Sequence, residues 1–157
     1  MLSAKAREEI KQLQNQYPVK RSALMPALYI AQREYGWLSA DAIKQLAAIF
    51  DLTETEVGSV ASFYTMYDLQ SVGKHIVLFC TDLPCALRGA DEMLKQIEDK
   101  LECKAGATTT DGKITLRAAP CLGGCDHAPV MLIDNAEHAQ DMTNEKIDEL
   151  IERLRRA

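Results

Sequence analysis

Apolar residues recur at helical spacing through roughly the first 70 positions, after which short β-prone runs alternate with helical stretches. Ser3 is placed to cap a first helix carrying Ile10, Leu13 and Tyr17, and Pro18 ends it. A second helix starts near Pro26, where proline suits the first turn, carries Leu28, Ala31 and Tyr35, and stops at Gly36. Ser39 caps a third, with Ile43, Leu46, Ala47 and Phe50 as its apolar face. Thr53 followed three residues later by Glu56 is a capping box for a fourth, with Val57, Val60, Ala61 and Tyr64 behind it. These stripes read as core faces, not as cofactor contacts.

The second half opens with the β-prone run His75-Ile76-Val77-Leu78-Phe79, which ends at Cys80. Cys85 to Leu101 reads as one helix, with Met93, Leu94, Ile97 and Leu101 on one face. Asp111-Gly112 predicts a turn into an alternating strand over Ile114 to Ala118, which Pro120 breaks. Pro129 to Ile133 reads as a further strand, Asp134-Asn135 as a turn, and Thr143 as the cap of a last helix burying Ile147, Leu150, Ile151 and Leu154. The predicted order of this half is β-α-β-β-α, which resembles a small thioredoxin-like sheet with helices packed on it. The expected fold class is therefore α+β. A helical bundle over residues 1–72 is expected to pack on an α/β unit over 73–157, because the join at Val72-Gly73 is short.

Composition narrows the function without naming it. The hydrophobic fraction of 47% permits an ordinary core. A net charge of -5 with no basic patch argues against nucleic acid as a partner. Apolar runs such as Ile76 to Cys80 are far below the ~20 residues of a membrane-spanning helix, so no direct insertion is expected. The first residues lack the apolar core of a secretory signal, so a cytoplasmic setting is expected. In such a setting cysteines stay reduced and serve as metal ligands or catalytic groups before they serve as disulfides.

The cysteines carry the chemistry. Cys80 and Cys85 form a C-x4-C hook, 35 residues separate it from the next, and Cys121 and Cys125 form a C-x3-C hook. Each hook follows a predicted strand, and strand ends of one sheet can bring such loops together. Four thiolates around an oxidised [2Fe–2S] core leave the site at about minus two, and reduction adds one more negative charge. Gly123 and Gly124 would let backbone N–H groups approach the sulfurs, and Cys85 near a helix start would gain from its positive end. Pro84 is placed to stiffen that entry. Zinc is the rival occupant. Structural zinc favours tighter C-x2-C hooks, so the spacing leans towards iron–sulfur without excluding zinc. Neither pair is C-x-x-C, which argues against thiol–disulfide exchange. Cys103 stands alone and reads as a bystander. The three histidines are scattered, and His127, two residues past the second hook, reads as a surface residue before a tuner of the site. No G-x-G-x-x-G fingerprint or P-loop is present, and no catalytic residue is expected in this chain.

At the level of whole motifs the chain resembles a known family. The segments Arg21-Ser22-Ala23-Leu24-Met25-Pro26-Ala27-Leu28, Gly36-Trp37-Leu38 and Val60-Ala61-Ser62-Phe63-Tyr64 carry the first part of the likeness. Gly73-Lys74-His75, Cys80-Thr81-Asp82-Leu83-Pro84-Cys85, Thr108-Thr109-Thr110-Asp111-Gly112 and Cys121-Leu122-Gly123-Gly124-Cys125-Asp126-His127-Ala128-Pro129 carry the rest. Together they resemble the family of E subunits of bacterial NADH-quinone oxidoreductases. These belong to the thioredoxin-like [2Fe–2S] ferredoxins, which also supply small subunits to NAD-linked hydrogenases and formate dehydrogenases. The resemblance implies one [2Fe–2S] cluster, with the family's ligands falling on Cys80, Cys85, Cys121 and Cys125. It further implies a larger flavoprotein partner that carries FMN, NADH and a further iron–sulfur cluster, and a peripheral place on the inner face of the membrane through that complex. A small component of a hydrogenase or formate dehydrogenase, or a zinc-stabilised adaptor with no redox role, are the alternatives.

Overall fold

A computed structural model describes residues 1–156, and the chain divides into two compact units, one over Met1–Ser71 and one from Val72 onward. The first unit is wholly helical. Helices α1 (Ala4–Gln14), α2 (Leu24–Tyr35), α3 (Ala40–Phe50) and α4 (Glu54–Phe63) bury the expected stripes, with Ile10, Leu28, Leu46 and Val57 fully enclosed. Their starts obey the local chemistry. Ser3 accepts from the Ala6 N–H at 3.1 Å, Ser39 accepts from that of Ala42 at 3.2 Å, and Thr53 and Glu56 close the capping box. Two ends differ from expectation. α1 stops at Gln14, because the amides of Asn15 and Gln16 fold back on Gln12 and Leu13 and tighten the last turn, which leaves Tyr17 exposed. α2 begins two residues before Pro26, led in by a 3₁₀ turn over Lys20–Ala23, so the proline sits in the first turn where its missing N–H is not needed.

The second unit is a four-stranded sheet with helices. Its elements are β1 (His75–Cys80), α5 (Leu83–Leu87), α6 (Ala90–Leu101), β2 (Ile114–Ala119), β3 (Met131–Ile133), β4 (Glu137–Ala139) and α7 (Asn144–Arg156). A 3₁₀ turn over Cys125–His127 precedes β3. The strand order is β2-β1-β3-β4, with β1 parallel to β2 and antiparallel to β3.

The predicted order needs two corrections. The single helix expected from Cys85 to Leu101 is two helices, because the chain turns at Gly89, whose φ of 86° lies in the left-handed region that glycine adopts without steric cost. A fourth strand, β4, lies beyond the Asp134-Asn135 turn. It is short and polar and occupies an edge, so it shows no apolar alternation to read. Phe79, Leu116, Val130 and Met131 are at most 1% exposed and anchor the centre of this unit. Each such burial contributes about 1.5–3 kcal/mol.

Candidate metal centre

Topology brings the two cysteine hooks to one end of the sheet. Because β1 and β2 run parallel, their C-terminal ends share an edge, and Cys80 pairs in register with Ala119. Cys121 is therefore only two residues past the partner of Cys80. Because β1 and β3 run antiparallel, the start of β3 lies at the same edge, and the Cys80 N–H donates to the Val130 carbonyl at 3.1 Å. β2 and β3 flank β1, so the segment joining them must cross the end of β1. That segment carries the second hook, and Cys80 lies at the end it crosses.

The first hook is held from both sides. The Thr81 N–H and hydroxyl both donate to the Ala119 carbonyl, at 2.9 and 3.2 Å. Asp82 caps α5 by accepting from the Leu83 N–H at 2.9 Å, and Pro84 occupies the first turn. Cys80 and Cys85 are 2% and 1% exposed, whereas Cys121 and Cys125 are exposed.

The thiols are electrostatically coupled across the hooks. Burial first, and then a hydrogen bond with the Cys80 thiol, pushes the Cys85 thiol up, while the Val130 backbone opposes the shift and the charges of Cys80 and Cys125 add to it. Cys85 stands in the first turn of α5, as its position near a helix start led one to expect. Cys125 is likewise pushed up, by desolvation and then by the negative charges of Cys121, Asp82, Cys80 and Asp126. Four thiolates so placed repel one another, and a cationic group among them would relieve the repulsion.

The donor set fits an iron–sulfur group. It offers four sulfurs, and electrostatic coupling ties Cys85 to Cys80 and Cys125, and Cys125 to Cys121 and Cys80. A two-iron unit takes four cysteine thiolates as its ligands.

The two glycines of the second hook differ in what requires them. Gly123 has a φ of 75°, a left-handed conformation open to glycine. Gly124 is needed for space: a Cβ there would stand 2.7 Å from His138 Cε1 and 2.9 Å from Val130 Cγ1. His127 is half exposed and pairs with Asp141, its Nδ1 3.0 Å from the carboxylate. The histidine that touches the second hook is His138 on β4, whose Nε2 lies 3.0 Å from the Leu122 carbonyl. Its position 13 residues past Cys125 carries no sequence signal, because only the edge strand brings it back. Cys103 packs at the margin of the core, where burial and then Glu98 push its thiol up.

The model of the thioredoxin-like [2Fe–2S] ferredoxin family matches residues 10–155. The E subunit of the NADH-quinone oxidoreductase of Rickettsia conorii is 43% identical over 136 residues, covering 86% of this chain and 81% of that protein. Its counterpart in Escherichia coli (strain K12) is 38% identical over 154 residues, 98% of this chain and 92% of that protein. Among solved structures, an NAD⁺-reducing [NiFe]-hydrogenase in the air-oxidized state superposes with a TM-score of 0.75 at 25% identity. That match covers 84% of this chain and 22% of the hydrogenase chain.

Proposed function

The chain belongs to the thioredoxin-like [2Fe–2S] ferredoxin family, and on that premise we propose that it is the electron-transferring E subunit of an NADH-quinone oxidoreductase. Cys80, Cys85, Cys121 and Cys125 would hold one [2Fe–2S] cluster, which supplies one-electron carriage when bound. The observation that carries this reading is the meeting of both hooks at the end of β1, in a chain that spans 92% of the length of its Escherichia coli relative.

This chain's own part is to bind and shelter. Cys80 and Cys85 would provide a buried floor, and the connection that carries residues 121–125 crosses the end of β1. The partner in this reading is a larger flavoprotein that carries FMN, NADH and a further iron–sulfur cluster. Leu83 and Leu87, one turn apart on α5 with Cys85 between them, are 67% and 79% exposed, and an apolar pair beside the thiols suits a face that a partner covers. The protein would act in the cytoplasm at the inner face of the membrane through its complex. No helix among the described residues is long and apolar enough to cross a membrane.

The test is anaerobic purification of the chain. The expected result is a reddish-brown protein with two irons and two sulfides, giving an EPR signal after dithionite. A colourless protein with one zinc per chain overturns the reading. The equivalent component of an NAD⁺-reducing hydrogenase is the second reading, favoured by the 0.75 TM-score to such an enzyme. Co-purification separates the two: a flavoprotein with a quinone-linked activity supports the first, and one with hydrogenase activity the second.

A further inference from the structure

We propose that His138 is a positioning residue for the second cysteine loop, a clamp that sets the direction of a backbone donor inside residues 121–125. Three contacts point to this. The ring's Nε2 lies 3.0 Å from the Leu122 carbonyl oxygen. Its Nδ1 lies 3.1 Å from the Gln140 side-chain amide nitrogen. Its Cε1 edge lies so close to Gly124 that a methyl group there would approach to 2.7 Å.

The Leu122 contact fixes the role of one ring nitrogen. A carbonyl oxygen only accepts, so Nε2 carries the proton and donates it to Leu122. Nδ1 then faces the Gln140 side-chain amide, so both ring nitrogens are engaged. The clamp is itself anchored. His138 pairs in register with Leu132 of β3, and its neighbour Glu137 takes both carboxylate oxygens to Arg153 of α7, at 2.7 and 2.8 Å.

Holding the Leu122 oxygen has a consequence inside the loop. In a trans peptide the following N–H points opposite to the carbonyl, so tying that oxygen to His138 fixes the direction of the Gly123 N–H. Donors from backbone to sulfur are among the features that set the behaviour of an iron–sulfur site. Gly124 and His138 form a matched pair: the absent side chain at 124 is the space the ring edge needs.

The proposal rests on the iron–sulfur reading for one of its two measurements only. In the full chain, His138→Phe keeps a ring against Gly124 but removes the donor, whereas His138→Gln places an amide N–H near the position of Nε2. Amide exchange of the 121–125 segment, read by mass spectrometry, is expected to be about fivefold faster in the Phe variant, the value of one ordinary hydrogen bond. Chelator bleaching of the loaded cluster is expected to speed up by a similar factor. His138→Gln is expected to return both to wild-type rates. Wild-type exchange in His138→Phe, or failure of His138→Gln to restore it, overturns the proposal. If far-UV circular dichroism finds the Phe variant unfolded, Gln140→Leu replaces it. That change leaves the ring in place and frees its orientation, so faster exchange in the same segment is expected and an unchanged rate overturns the clamp. A chain that never takes up iron yet follows this exchange pattern supports the clamp while refuting the iron–sulfur reading.

Discussion

The two cysteine hooks are built from opposite materials. Cys80 and Cys85 stand on regular structure, the last residue of a central strand and the third of a capped helix, and both are buried. Cys121 and Cys125 stand on a loop with a left-handed glycine, and both are exposed. The first hook is held by the core, so its geometry follows from the packing of Phe79, Val130 and their neighbours. The second is held by a few polar contacts and by tight space, so it can open without unfolding the sheet. A group bound between them would have one rigid wall and one adjustable wall.

Serine at the two kinds of position gives the sharpest break in this comparison. Both Cys80→Ser and Cys121→Ser are expected to lose the visible spectrum, since a hydroxyl replaces thiolate poorly. Before loading they should differ. Cys80→Ser puts a hydroxyl where the thiol is 2% exposed and is expected to cost about 1–3 kcal/mol in urea unfolding. Cys121→Ser at the surface is expected to stay within about 0.5 kcal/mol of wild type. Equal costs would dissolve the distinction between floor and loop.

Thiol access tests the same contrast without changing the chain. In the unloaded protein, iodoacetamide should label Cys121 and Cys125 at least about tenfold faster than Cys80 and Cys85, because the buried pair must wait for local opening. Labelling at equal rates, resolved by peptide mass, would mean that the floor opens as readily as the loop.

The two glycines sharpen the account of the loop. Gly124→Ala forces a methyl against Val130, whose side chain is buried, and should cost about 1–3 kcal/mol. Gly123→Ala meets no neighbour but holds a left-handed φ, and should cost about 1–2 kcal/mol. Thermal unfolding that ranks Gly123→Ala clearly above Gly124→Ala would remove the argument from space. The smallest effect belongs to Cys103→Ser, which should leave the visible spectrum unchanged. Bleaching by that change would move a ligand outside the two hooks.

Much of the fold is legible because its signals are local. The caps at Ser3, Ser39 and Thr53 act over three residues, and the stripes of α3 and α7 repeat within a single helix, so each can be read along the chain. The run from His75 to Cys80 and the strand from Ile114 are equally plain. Less legible is the break at Gly89, since an isolated glycine within a helical pattern is often tolerated. β4 escapes a reading along the chain because Glu137, His138 and Ala139 owe their strand conformation to pairing with β3 and not to their own periodicity.

The cysteine spacing and the whole-chain likeness came from the sequence by itself, and with them the identity of the candidate donors and the family. Only the tertiary structure decided how those donors are deployed. Parallel pairing of β1 with β2, and antiparallel pairing with β3, route the second hook across the end of β1. Cys80 and Cys85 are buried on a strand end and a helix, while Cys121 and Cys125 are exposed on the loop that crosses that strand end. His138 reaches the Leu122 carbonyl for the same reason. These are relations between residues far apart in the chain, set by register and packing, and no local period or spacing encodes them.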